Sequence, residues 1–229
     1  MSNEEIPKGV IYLPSGSGRS YPMGGMQSVF KADLRSLSME RNVMWSPWSE
    51  PGLEHLCLRQ DNDKILADGM ILRVSENNPF RVHYKIRSDA EWRVREVDVN
   101  LLNDKGRHIK LNADGRGHWT DGSGNPILSL NGCVEVDISA TPFTNTLAIR
   151  RMRLKPGESS EIVVAFIAVP EMEVKPSRQR YTCLELSSAV GIYKYEDEGL
   201  FRGFTADLPV DSEGLVFDYP ELFRRVWSR

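Results

Sequence analysis

The sequence predicts an all-β protein built on a bent, mostly antiparallel sheet, and three observations lead there. Phe80, Val82, Tyr84 and Ile86 alternate with Arg81, His83, Lys85 and Arg87, the period-two mark of a strand with one buried face. Turn residues recur between such runs: Asn103, Asp104, Lys105 and Gly106 have hairpin chemistry, and DGSGNP at residues 121–126 is a second turn. The alternation also changes phase. Trp92 and Val94 keep one phase, Glu96 breaks it, and Val97, Val99 and Leu101 run on the other, which a β-bulge near Arg95 and Glu96 would produce. Bulges bend sheets, so a sandwich, a roll or an incomplete barrel is expected.

Along the chain, residues 1–42 stand apart. Gly16, Gly18, Gly24, Gly25, Pro7, Pro14 and Pro22, with several serines and no sustained period, describe a loosely structured arm or one edge strand around Val29 and Phe30. Residues 13–33 resemble the opening of some small bacterial cupins, but the closely spaced histidines of a cupin metal site do not follow; the next is His55, alone. From residue 43 to 229 a single β domain is expected, with no internal repeat. A chain of 229 residues can bury roughly 70–75 % of its unfolded surface. EIVVAFIAV at 161–169 is apolar on both faces and reads as a central strand. YTCLEL and VGIYKYE follow as strands, then LFRGFTADL, which shifts phase around Gly203. Only PELFRRVW, residues 220–227, suggests a helix: Pro220 suits a first turn, with Leu222, Phe223 and Val226 on one side. It is expected as a short C-terminal helix closing one end of the sheet.

Composition excludes several functions. Net charge is −3 with 27 % charged residues of both signs interspersed, so no basic field would recruit nucleic acid. The opening MSNEEIPKG lacks a basic segment followed by an apolar one, and no run approaches the ~18 apolar residues of a spanning helix. A soluble, cytoplasmic protein without a membrane span is expected; the sequence does not fix its oligomeric state. Cys57, Cys133 and Cys183 are far apart and odd in number, and read as reduced and buried. His55, His83, His108, His118 and the cysteines lack CxxC, HxH or HExxH spacing, so neither a metal nor a cofactor is expected. Gly122-Ser123-Gly124 lies in a turn and not in a strand-to-helix elbow.

Residues 132–154, GCVEVDISATPFTNTLAIRRMRL, gather the most demands. Val134, Val136 and Ile138 alternate with Glu135, Asp137 and Ser139 as a half-buried strand. Pro142, Thr144, Asn145 and Thr146 make a polar corner, and Leu147, Ile149, Met152 and Leu154 resume interleaved with Arg150, Arg151 and Arg153. Glu135 and Asp137 would share one strand face, with Cβ atoms roughly 6–7 Å apart. That spacing admits a glycosidase-like acid and base, and equally a structural ion network with the arginines. Arginines at the mouth of an apolar cavity would hold an anionic head group. Trp92, Trp119, Tyr181, Tyr193 and Tyr195 would offer flat surfaces to sugar rings, or simply pack the core.

This stretch resembles the hallmark of the family named putative glycolipid-binding, and further segments resemble it too. They are Trp48 with Glu54 and His55, Asp68-Gly69, Trp92-Arg93-Val94-Arg95, Asp114-Gly115-Arg116-Gly117-His118-Trp119, Gln179-Arg180-Tyr181-Thr182 and GLVFDYPELFRR at 214–225. Together they cover about residues 43–229. Ala148 stands where the family has proline and Glu135 where it has aspartate. The resemblance implies a long, convoluted antiparallel β-roll, similar to periplasmic lipoprotein carriers, and a ligand class without a reaction. Three functions follow as expectations. The first is non-enzymatic binding of an amphiphile such as a glycolipid in an apolar groove of the roll, with Arg150, Arg151, Asp137, Asn145, Trp92, Trp119 and Tyr181 as its ligand-binding residues. The second is a sugar- or lipid-processing hydrolase using Glu135 and Asp137, or Asp114. The third is a protein-interaction module whose arm docks on a partner.

Overall fold

Period-two burial organises most of the chain into a nine-stranded antiparallel sheet. Its strands are β1 (Met39–Pro47), β2 (Gly52–Gln60), β3 (Lys64–Ser75), β4 (Asn78–Asp89), β5 (Val94–Leu101), β6 (His108–Ala113), β7 (Trp119–Asp121), β13 (Asp218–Tyr219) and β14 (Phe223–Ser228), in the order β13-β14-β1-β2-β3-β4-β5-β6-β7. A second, curled sheet runs β12 (Thr205–Asp211), β11 (Val190–Asp197), β10 (Glu173–Leu186), β9 (Ser159–Ala168), β8 (Glu135–Ile138). This computed structural model describes residues 39–104 and 106–229. Most of the arm expected over residues 1–42, including Val29 and Phe30, lies outside the described residues; residues 39–42 already belong to β1.

The mostly β, bent antiparallel class is the one expected. In β4, Phe80, Val82, Tyr84 and Ile86 are buried in strict alternation. The bulge falls where the phase changed: Glu96 pairs with Arg87 and Val94 with Ser88, leaving Arg95 extra. Arg93 and Arg95 both clamp the Asp89 carboxylate there, at 2.9 and 2.8 Å. Two more register shifts, between Met44 and Trp45 and between Cys183 and Glu185, add curvature.

Two elements differ from expectation. PELFRRVW is not a helix: β14 adds to the edge of β1, with Trp45 opposite Arg225. What made it look helical was Phe223 and Val226 on one side; in fact Phe223 is buried, Val226 exposed, and Arg225 points inward to Asp211 at 2.7 Å. The second half of the 132–154 stretch is not a strand but helix α1 (Phe143–Met152). It lies between β8 and β9, which pair in parallel, and a parallel pair needs a crossover of a dozen residues or more, usually a helix. Pro142 opens it at φ −76°, Thr141 Oγ1 accepts the Phe143 N–H at 3.0 Å, and Arg153 ends it at φ 52°. Every residue from 143 to 149 is buried. Phe143 and Leu147 join a core cluster drawn mainly from the large sheet with β8 and β9, while Ala148 and Ile149 join a second drawn mainly from β10, β11 and β12 with Tyr219 and Phe223. Helix α1 is thus buried between these two clusters.

A buried carboxylate fixes where that helix sits. Glu54 Oε1 on β2 accepts from Tyr84 Oη on β4 at 2.5 Å and from Thr141 Oγ1 at 2.7 Å. To reach it, the Tyr84 ring crosses Gly69 on β3, where a Cβ would lie 2.2 Å from ring atoms. Burial, only partly offset by these two hydrogen bonds, pushes the Glu54 carboxyl up to about 7.

Two outcomes follow. Gly69→Ala should lower stability by about 2–3 kcal/mol, read from the urea midpoint, because the ring has backbone beneath it and little room to give. A carboxyl whose folded pKa exceeds its unfolded value stabilises fully below the unfolded pKa, and that contribution is lost as pH rises through the folded one. Wild-type stability relative to Glu54→Gln should therefore fall by about 2–3 kcal/mol between pH 5 and pH 8. Urea unfolding of both proteins at each pH measures it; parallel pH profiles would remove Glu54 as the cause.

Candidate functional site

At the N-terminal end of α1 a cleft of about 270 Å³ opens beside the curled sheet. Rings form its walls. Tyr195 of β11 meets Phe204 and Tyr219 with centroids 6.1 Å apart in each case, and Phe166 of β9 meets Phe201 edge-on at 5.6 Å. Among them stand the polar side chains of Asp137, Asn145 and Asp197. Asp137 ends up there because β8 alternates and Thr144, in the first turn of α1, donates to its Oδ1 at 2.7 Å. Gln179 of β10 donates to Oδ2 at 2.6 Å. Burial pushes the Asp137 carboxyl up against the pull of these two donors, and the charge of Asp197 adds to the rise. Asn145 is set by Tyr181 Oη, which donates to Oδ1 at 2.8 Å, while its amide donates to the Pro142 carbonyl at 3.2 Å. Asp197 Oδ1 accepts the Gly199 and Phe201 amides at 2.8 and 2.9 Å, and Oδ2 accepts Tyr195 Oη at 3.2 Å. Among the described residues, no cation lines this cleft.

The ligand-binding residues expected from sequence are not one constellation. Asp137 and Asn145 line the cleft, and Tyr181 stands one layer behind, aiming Asn145. Arg150 and Trp92 line a different cavity at the C-terminal end of α1. Arg151 lines neither cavity and donates to Glu135 Oε1 at 2.6 Å and to the carbonyls of Val134 and Gly115. Trp119 is core, with Nε1 donating to the Cys133 carbonyl at 2.7 Å.

The two carboxylates expected as an acid and base pair do not share the cleft. Glu135 is buried against Arg151, raised to about 7 by burial with the guanidinium pulling the other way, and does not reach the cleft. Asp114 closes its own turn. Its carboxylate accepts the Arg116 and His118 amides at 2.6 and 3.1 Å and the His118 ring at 2.8 Å, which hold it well below the usual range. The carboxylate that shares the cleft with Asp137 is Asp197, which sequence reasoning missed. Its signal was the density of rings from Tyr193 to Phe223, of which the sequence reading singles out only Tyr193 and Tyr195, as sugar surfaces or core.

Among the described residues no group of three or more His, Cys, Asp or Glu side chains is placed to hold a metal, and no helix is long and apolar enough to cross a membrane.

Comparison with known proteins agrees with this architecture. No curated protein matches the sequence. A DUF1089 family protein from Pseudomonas aeruginosa, solved as a crystal structure, is 38 % identical, with 79 % of this chain and 92 % of that one covered and a TM-score of 0.66. The model of the family described as putative glycolipid-binding matches residues 42–225, from β1 into β14 and hence across both sheets, α1 and the cleft. This chain belongs to that family.

Proposed function

We propose that the protein binds, without transforming it, the neutral sugar head of an amphiphile in the cleft at the start of α1. The observation that carries this reading is the combination of aromatic walls with acidic and amide groups and no cation. Rings offer flat apolar faces to the C–H surfaces of a sugar, and Asp137 and Asn145 offer hydrogen bonds to its hydroxyls. The absence of a cation among the lining residues disfavours an anionic head group, which would meet two uncompensated carboxylates. The family description points to the same ligand class.

Size limits the ligand. About 270 Å³ falls just below the ~300–1,000 Å³ of pockets that enclose drug-sized molecules, enough for a head group and not for acyl chains. A tail would lie outside, where Leu200 and Phe201 are exposed by 44 and 57 %. Binding is favoured over hydrolysis because both carboxylates in the cleft are already tied: Asp137 to Thr144 and Gln179, Asp197 to two amides and a phenol.

Titration calorimetry with octyl glucoside below its micelle concentration, free glucose and octyl sulfate tests this. The glucoside should bind most tightly and octyl sulfate least. Asp137→Asn should weaken the glucoside by about tenfold, the scale of one hydrogen bond to a charged group. Equal binding of sulfate and glucoside, or an unaffected Asp137→Asn protein, would overturn the reading.

A further inference from the structure

The cavity at the other end of α1, about 330 Å³, has the opposite electrostatics. Arg150, Arg153 and Lys155 line it, and among the described residues none of the three forms an ion pair. The one acid on its wall among the described residues, Asp211, is already compensated by Arg225 at 2.7 Å and Arg41 at 4.0 Å. A helix C-terminus attracts cations, but with roughly half an elementary charge, and three uncompensated charges exceed that need.

Arg150 is held in place with care. Its guanidinium lies 5.1 Å above the Trp92 ring, and it donates to the Ser212 carbonyl at 3.4 Å. Its stem runs so close to Gly214 that a Cβ there would sit 3.1 Å from Arg150 Cδ. Both neighbours close turns in left-handed backbone, Trp92 at φ 65° bonded to the Asp89 carbonyl and Gly214 at φ 79° bonded to that of Asp211, and for a bulky residue such as Trp that conformation is costly. With a single hydrogen bond among the described residues, Arg150 keeps most of its N–H donors unspent. The Tyr193 phenol on the same wall is pushed up to about 12 by burial and stays a neutral donor.

We propose that this cavity binds an oxyanion of the phosphate class, free or carried on a lipid head group. The inference does not rest on the reading of the aromatic cleft, and Asp137→Asn should leave it unchanged. The test uses the full chain and follows Trp fluorescence at low salt, with inorganic phosphate, glycerol 3-phosphate, and phosphatidylcholine vesicles with and without phosphatidic acid. Saturable binding that weakens with salt is expected. Arg153 and Lys155 are exposed, so the double variant Arg153→Gln, Lys155→Gln should fold normally and lose about tenfold or more in affinity. Arg150→Met, with its fold checked by circular dichroism, should lose at least as much. Binding of the soluble anions assigns a free phosphate ester; binding only of vesicles containing phosphatidic acid assigns a head group. Wild type and double variant binding alike, or neither binding any of these probes, would overturn the proposal.

Discussion

A carboxylate taken out of water has to be met by donors, and at Glu54 that requirement ties the molecule together. Its donors come from β4 and from Thr141, and Thr141 in turn accepts the first amide of α1. The position of the helix against the large sheet is thus set by three hydrogen bonds in series, in a core where an unmade one costs about 1–3 kcal/mol. Arg151 does the same at the far end by reaching back to Glu135. Between these anchors α1 is a buried rod of fixed register. Its first turn presents Asn145 to the aromatic cleft and Thr144 to the Asp137 carboxylate that lines it, and its last turn presents Arg150 to the cationic cavity.

How much of this was legible follows from what periodicity can carry. The strand at Phe80, the bulge at Arg95 and the turn at 121–126 are recorded in local alternation, and all three stand where the sequence placed them. Helix α1 was illegible because a segment buried on every side has no polar face, so its 3.6-residue period is erased. Thr144, Asn145 and Thr146 are also poor helix formers, and tertiary packing overrides them. The C-terminal strand failed differently: its partner β1 lies at the other end of the described chain, and nothing local reports that pairing.

The site was half legible for a related reason. Asp137 and Asn145 interrupt an apolar pattern and so stand out. Asp197, Phe201, Phe204 and Tyr219 reach the cleft from later segments, and a ring on a strand looks the same whether it faces a core or a cavity. Arg150 and Arg151 are adjacent in sequence yet diverge, because neighbours on a helix point about 100° apart. One therefore stacks on Trp92 while the other is consumed by Glu135.

The buried position of α1 limits what the proposed ligand can be. Carrying a whole lipid would require α1 to leave, stranding Glu135 without Arg151 and Glu54 without Thr141. Breaking one buried ion pair alone costs about 3–5 kcal/mol, a large part of the ~5–15 kcal/mol that holds a domain folded. Head-group recognition at the surface needs no such opening. Each methylene that covers exposed Leu200 or Phe201 would add up to ~0.8 kcal/mol, so a short contact of the tail with the rim suffices to favour an amphiphile over its free head group.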